Sequence, residues 1–174
     1  MTRRALPSVR LEPLGLRHAR AMYRWMRDPF VRSNVGLRRA PTLERTRAWL
    51  RRARRDRAIR AYGVLHGGAH VGNVVLDRID RIVSTARLSI YIGEPDARGH
   101  GVARAALLAA LSTAFGELRL HKVWLVVHVD NRAAIRAYRS VGFVREGRLR
   151  DEFLLNGKRA DVLYMGILRT GFAR

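Results

Sequence analysis

The 174-residue chain contains no cysteine. That excludes a disulfide framework, a thiolate metal site and a cysteine nucleophile. Lysine is nearly missing as well, with Lys122 and Lys158 its only examples. Acids are scarce, 14 against 35 basic residues, which leaves a formal charge of +21. No apolar run approaches the length of a membrane span, and Met1-Thr2-Arg3-Arg4 does not open a signal peptide. Repeats, low-complexity tracts and linkers are missing too. The expectation is a cytoplasmic protein folded as a single domain over 1–174, because 48% apolar content supports one substantial core.

The positive field favours anionic partners and speeds their encounter. Seven arginines between Arg45 and Arg57 invite the thought of nucleic acid. Leu43, Thr46, Trp49, Leu50 and Ala53 recur there at helical spacing, however, so the segment reads as an amphipathic helix with a solvated basic face. No helix-turn-helix signature, aromatic RNA-binding pair or Cys/His cluster accompanies it, so specific nucleic-acid binding is not expected.

Along the chain, a strand near Val9 to Leu14 leads to a helix from about Leu16 to Arg27, ended by Asp28-Pro29. A loop is expected through Asn34-Val35-Gly36, and a second helix begins after Pro41-Thr42. Strands near Arg60 to Leu65 and Ala69 to Leu76 flank the turn His66-Gly67-Gly68, and Thr85 to Ile92 forms the next strand. Val102 to Phe115 is apolar nearly all round and predicts a buried helix. After a strand over Val123 to Val129, Asp130-Asn131 caps a helix from Arg132 to Val141 that stops at Gly142. Two strands about Asn156-Gly157 close the chain. This order predicts a mixed α+β domain of three layers.

The most informative stretch is Arg98, Gly99, His100, Gly101, Val102 and Ala103, between a strand and a helix. Glycines at 99 and 101 allow a tight turn and close approach of an anion. The free N–H groups of the first helical turn, helped by the helix dipole, suit a pyrophosphate, and the guanidinium of Arg98 adds a fork of matching geometry. A plain strand-to-helix turn would have the same glycines. Some thirty residues on, Asn131 and Tyr138 stand seven positions apart, on nearly one helix face, with the small Ala134 between them.

These two motifs resemble those of the GNAT superfamily of acyl-CoA-dependent N-acyltransferases. Arg98 to Ala103 matches its R/Q-x-x-G-x-G/A signature, and Asn131 to Tyr138 followed by Val141-Gly142-Phe143 is similar to its second coenzyme-facing motif. Within the superfamily the chain resembles the branch of ribosomal-protein, spermidine and nucleotide-linked amino-sugar acetyltransferases. The resemblance implies a mostly antiparallel twisted sheet of about seven strands flanked by helices, with a splayed strand pair for acetyl-CoA, the acetyl donor. It also implies that a backbone N–H, that of Ile92, faces the developing oxyanion, and that Tyr138 protonates the leaving thiolate. A helix tyrosine packed on the sheet is the alternative for Tyr138. No metal is implied.

The general base is the gap. Many relatives in this branch carry a glutamate two residues ahead of the position held here by Ser89, and that residue is Arg87. His128 and Glu94 are the substitutes by residue type, and a solvent route without a single base is the alternative. For the acceptor, Arg27 and Arg32 near the end of the first helix and Glu152 on the final hairpin are the candidate contacts, with Tyr23, Trp25, Phe30, Arg148 and Asn156 nearby. The charge balance ranks a nucleotide-linked amino sugar first as acceptor. A protein N-terminus, a polyamine and an aminoglycoside are the alternatives, and outside catalysis a non-catalytic module binding acyl-CoA or nucleic acid. A monomer or homodimer is expected.

Overall fold

The computed structural model describes residues 5–35, 40–155 and 157–172. Met1 to Arg4, Gly36 and Asn156, named above, lie outside the described residues. The strands are β1 (Val9–Pro13), β2 (Arg60–His66), β3 (Ala69–Asp80), β4 (Thr85–Ile92), β5 (Lys122–His128), β6 (Val144–Leu155) and β7 (Lys158–Leu168). The helices are α1 (Ala19–Arg27), α2 (Pro29–Val35), α3 (Leu43–Arg55), α4 (Val102–Ser112) and α5 (Arg132–Arg139). All seven strands join one sheet in the order β1-β2-β3-β4-β5-β7-β6, antiparallel except between β4 and β5. No helix of the described residues is long and apolar enough to cross a membrane.

Alternation along the strands sorts side chains onto two faces. On one, Val74, Leu76, Ala86, Leu88, Val123, Leu125 and Met165 meet Ala106, Leu107, Ala110 and Leu111 of α4. The continuous apolar surface of α4 is therefore buried as its sequence requires. On the other face Leu14, Met22, Trp25, Val31 and Leu50 form a second cluster under α1, α2 and α3. The outcome is the expected three layers.

One expectation fails. The stretch after Asp28-Pro29, read as a loop, is the helix α2. Proline ends a helix, but its fixed φ and missing N–H also suit the first position of the next one. Asp28 caps that start, its Oδ1 accepting from Phe30 N–H at 2.9 Å. Elsewhere the capping signals hold: Thr42 accepts from Arg45 N–H at 3.1 Å before α3, and Gly67 and Gly68 turn the β2–β3 hairpin at positive φ.

Candidate active site

The site begins where the sheet opens. β4 and β5 pair only at Thr85–Lys122, Ala86–Val123 and Arg87–Trp124, after which the two strands part. On its other edge β4 stays paired with β3 as far as Gly72–Ile92. Gly93 N–H donates to Val71 C=O at 2.8 Å. Because antiparallel ladders alternate, the N–H and C=O of Ile92 then point the opposite way, toward the gap left by β5. The Ile92 carbonyl accepts from Arg98 Nε at 3.0 Å. Its N–H faces the cleft as a preset donor.

The glycine turn follows. Gly99 and Gly101 have φ of +80° and +83°, the left-handed region that L side chains rarely adopt. Gly101 occupies the N-cap of α4 without a side-chain cap, so the first amides of α4 remain available to an anion. Val102 is buried and anchors the turn, Ala103 is half-buried, and Gly99 and His100 are exposed. A Cβ on Gly99 would meet nothing within 4 Å, whereas one on Gly101 would lie 3.3 Å from Pro7.

Arg98 is engaged within the protein. Besides Ile92 C=O, its guanidinium donates to Gly93 C=O at 2.8 Å and to Asp28 Oδ2 at 3.0 Å, and it lies 4.6 Å from the Phe30 ring centroid. The fork read as a phosphate ligand ties the end of β4 to the start of α2. Carbonyls and a carboxylate offer the same planar acceptors that phosphate does, and these lie within reach. The Asp28 carboxyl is held below its ordinary range chiefly by Arg98.

On the other side of the cleft, α5 starts at the end of β5 and packs against α4. Asn131 is its N-cap, with Oδ1 accepting from Ala134 N–H at 3.1 Å. Tyr138 is buried in the core, its ring edge-on to Phe143 at 5.8 Å. Burial pushes its phenol up to about 12, so it carries its proton at neutral pH. His128, at the end of β5, is buried edge-on against Phe153 at 4.5 Å. Arg87 is gripped by Asp77 through bonds of 2.8 and 2.6 Å, which raise its pKa further. The position at which the resemblance implies a glutamate therefore holds an ion pair. Glu94 accepts from Trp25 Nε1 at 3.1 Å and pairs with Arg24.

Arg27 is exposed on α1 beside Tyr23, with its guanidinium 5.8 Å from the ring centroid. Arg32 is exposed on α2 and Glu152 on β6. Among the described residues no hydrogen bond or ion pair joins these three. Nor does any group of three or more His, Asp or Glu among the described residues suit a metal ion.

Sequence reasoning missed a polar row beneath α1. Glu12, Gly63, Asn73 and Tyr91 are successive cross-strand partners on β1 to β4. His18 Nε2 bonds Glu12 Oε1 at 2.8 Å, and His18 Nδ1 accepts from Gly15 N–H at 2.9 Å. His70 Nε2 bonds Asn73 Oδ1 at 2.8 Å, and Asn73 Nδ2 donates to the Tyr91 hydroxyl. The two imidazoles meet edge to face, 4.6 Å apart, over Gly63. A Cβ there would come within 3.2 Å of His70 and 3.4 Å of His18. Burial lowers the pKa of His70 and raises that of Tyr91, while the bond from His18 lowers that of Glu12. The available signal was Asn73, an amide inside the apolar run Val71 to Leu76.

The acetyltransferase (GNAT) domain family matches residues 8–144. The chain belongs to that family. GNAT acetyltransferases use acetyl-CoA, and the opened strand pair and the left-handed glycine turn of this GNAT domain fit such a molecule. Among curated proteins it is similar to the spermidine N(1)-acetyltransferase of Vibrio cholerae, 40% identical over 102 residues. That match covers 59% of this chain and 58% of the relative. It is also similar to the putative ribosomal N-acetyltransferase YdaF of Bacillus subtilis, 29% identical over 107 residues, 62% of this chain and 58% of the relative. The chain thus aligns with less than two thirds of the length of these curated relatives. Among solved structures, spermidine N-acetyltransferase from Vibrio cholerae in complex with CoA and spermine superimposes with a TM-score of 0.89 at 30% identity. That likeness covers 94% of this chain and 96% of the other.

Proposed function

We propose that this GNAT protein transfers the acetyl group of acetyl-CoA to a primary amine of a polyamine-type acceptor, by direct attack in a ternary complex. The observation that carries the transfer is the opened β4–β5 pair, which sets the Ile92 N–H toward a cleft beside the Gly99–Ala103 turn. The amides of Val102 and Ala103 would receive the pyrophosphate, with Gly99 and Gly101 keeping Cβ atoms away and His100 on the exposed rim. Acetyl-CoA supplies a thioester that an amine can attack. As charge builds on the carbonyl oxygen, the Ile92 N–H donates to it, and a preset donor of this kind is worth roughly 3 kcal/mol. Tyr138 keeps its proton until the thiolate departs, then gives it to the sulfur and regains one from the proton that the attacking nitrogen sheds as the amide forms. Asn131 fixes the start of the helix that holds it. With Arg87 closed off by Asp77 and His128 walled by Phe153, the ammonium loses its proton to solvent, and positioning supplies most of the rate.

The acceptor class rests on the relatives named spermidine N-acetyltransferases. The charge of +21 favours an anionic acceptor such as a nucleotide-linked amino sugar, but local groups outweigh a screened global field. Glu94, Asp28 and Glu12 stand on the α1 side of the sheet, paired with Arg24, Arg98 and His18 in turn. Thiol release from acetyl-CoA tests the reading, with spermidine, a UDP-linked amino sugar, an aminoglycoside and an alanine-terminated peptide at low and high salt. Spermidine is expected to give the highest kcat/KM. A preference for the sugar nucleotide that shrinks with salt restores the charge-based ranking, and release with no amine overturns the transferase reading.

A further inference from the structure

Glu94 lies two residues beyond Ile92, on the α1 side of the sheet, and its carboxylate has two partners. One is the neutral indole N–H of Trp25 at 3.1 Å; the other is the guanidinium of Arg24. Trp25 is immobile. It is 3% exposed and lies so close to the end of β4 that a Cβ on Gly93 would fall 2.0 Å from its ring. Arg24 is not, with a side chain 65% exposed, while that of Glu94 is 33% exposed. Three other acids on this side are held more firmly. Asp28 is bound by Arg98, itself fixed by two carbonyls; Asp77 is bound through two bonds by Arg87; Glu12 is bound by the buried His18.

We propose that Glu94 anchors an ammonium group of the acceptor and that Arg24 is a built-in competitor for that anchor, setting how strongly the protein takes cationic amines. The proposal rests on the polyamine reading above. Trp25 holds the carboxylate in place when Arg24 swings away, so the anchor needs no rebuilding. An alkylammonium then supplies the same charge and donor hydrogens that the guanidinium withdrew. The exchange is cheap because an exposed ion pair contributes little, at most a few-fold in an equilibrium constant. Charge neutrality at Glu94 is kept throughout, which lets a strongly cationic protein admit a cation beside its cleft.

Steady-state kinetics with spermidine and acetyl-CoA on Arg24→Gln, Glu94→Gln and the double variant test this. Arg24→Gln removes the competitor and should lower the spermidine KM by about two- to fivefold. Glu94→Gln keeps the acceptor for Trp25 Nε1 but loses the charge, and should raise that KM by about two- to fivefold. The double variant should behave as Glu94→Gln alone, since Arg24 then competes for nothing. The acetyl-CoA KM and the melting temperature should not move in either single variant, as they would if the residues only held the fold. An unchanged spermidine KM in a folded Arg24→Gln variant overturns the proposal, and that variant decides alone should Glu94→Gln not fold. If the unaltered protein turns over other amines but no polyamine, the acceptor reading itself fails and takes this subsite with it.

Discussion

Replacing Arg98 with alanine asks whether its guanidinium serves the fold or the phosphates. Three bonds disappear: those to Ile92 C=O at 3.0 Å, Gly93 C=O at 2.8 Å and Asp28 Oδ2 at 3.0 Å. Charge-assisted bonds reach about 1.5–3 kcal/mol each when buried. The Arg98 and Asp28 side chains are 25% and 33% exposed, so screening brings each bond down to roughly 1 kcal/mol and the sum to about 3 kcal/mol. For a chain of this size that is a fall in Tm of roughly 6–12 °C. Thermal melting and an acetyl-CoA titration on the same variant read out the two roles separately. The expected result is a large fall in Tm with acetyl-CoA affinity reduced less than about tenfold, or 1.4 kcal/mol. Lysine at 98 should recover little, because one ammonium cannot span both carbonyls and the carboxylate. A variant that melts within about 2 °C of the parent yet loses acetyl-CoA affinity more than about tenfold would refute the reasoning and return Arg98 to the phosphates.

Gly101→Val places a β-branched residue at φ +83°, with its Cβ 3.3 Å from Pro7; calorimetry should show acetyl-CoA affinity lowered at least about tenfold, together with a lower Tm. Tyr138→Phe should reduce kcat by about a hundredfold while the acetyl-CoA Kd changes little, and near-normal turnover at saturation would show that another group protonates the thiolate. His70 is held neutral by burial, with its pKa below the ordinary value. The unfolded chain therefore binds the extra proton first as pH falls. The stability from His70 is full above about pH 6.5 and is lost as pH drops from there toward the folded value. Urea midpoints measured across that range should fall with pH, and His70→Gln should flatten the slope.

Local signals carried most of the architecture. The caps at Thr42 and Asn131, the left-handed Gly67-Gly68 turn and the apolar α4 all act within a few residues, so spacing alone reveals them. Gly99, Gly101 and Asn131 were legible for the same reason. Most of what escaped depends on partners distant in the chain, and Pro29 is the local exception. Pro29 both ends α1 and starts α2, and only the cap from Asp28 makes the second role visible. The partners of Arg98 are set by where β4 ends against α2, which no local spacing encodes. The row from Glu12 to Tyr91 spans four strands, and its centre is a hydrogen at Gly63 where any side chain would stand between two imidazoles. Arg87 was noticed as a departure from the family, but its capture by Asp77 follows from the β3–β4 register.

The parting of β4 from β5 also bears on how the molecule holds together. β1 to β4 form one antiparallel meander and β5 to β7 another set of antiparallel partners; in the sheet they share only three residue pairs. Within the meander, β2, β3 and β4 are joined by short turns, and β6 meets β7 across a hairpin, so the loops to be closed are short. The join between the halves must instead wait for the chain to travel through α4 and return at Lys122, and with three residue pairs it is the least cohesive seam of the sheet. Below the seam, α4 and the apolar face act as the mortar. Above it, among the described residues, the two strands share no further pairs. A molecule lodged there grips both at once, so its binding free energy is also mechanical cohesion between the halves.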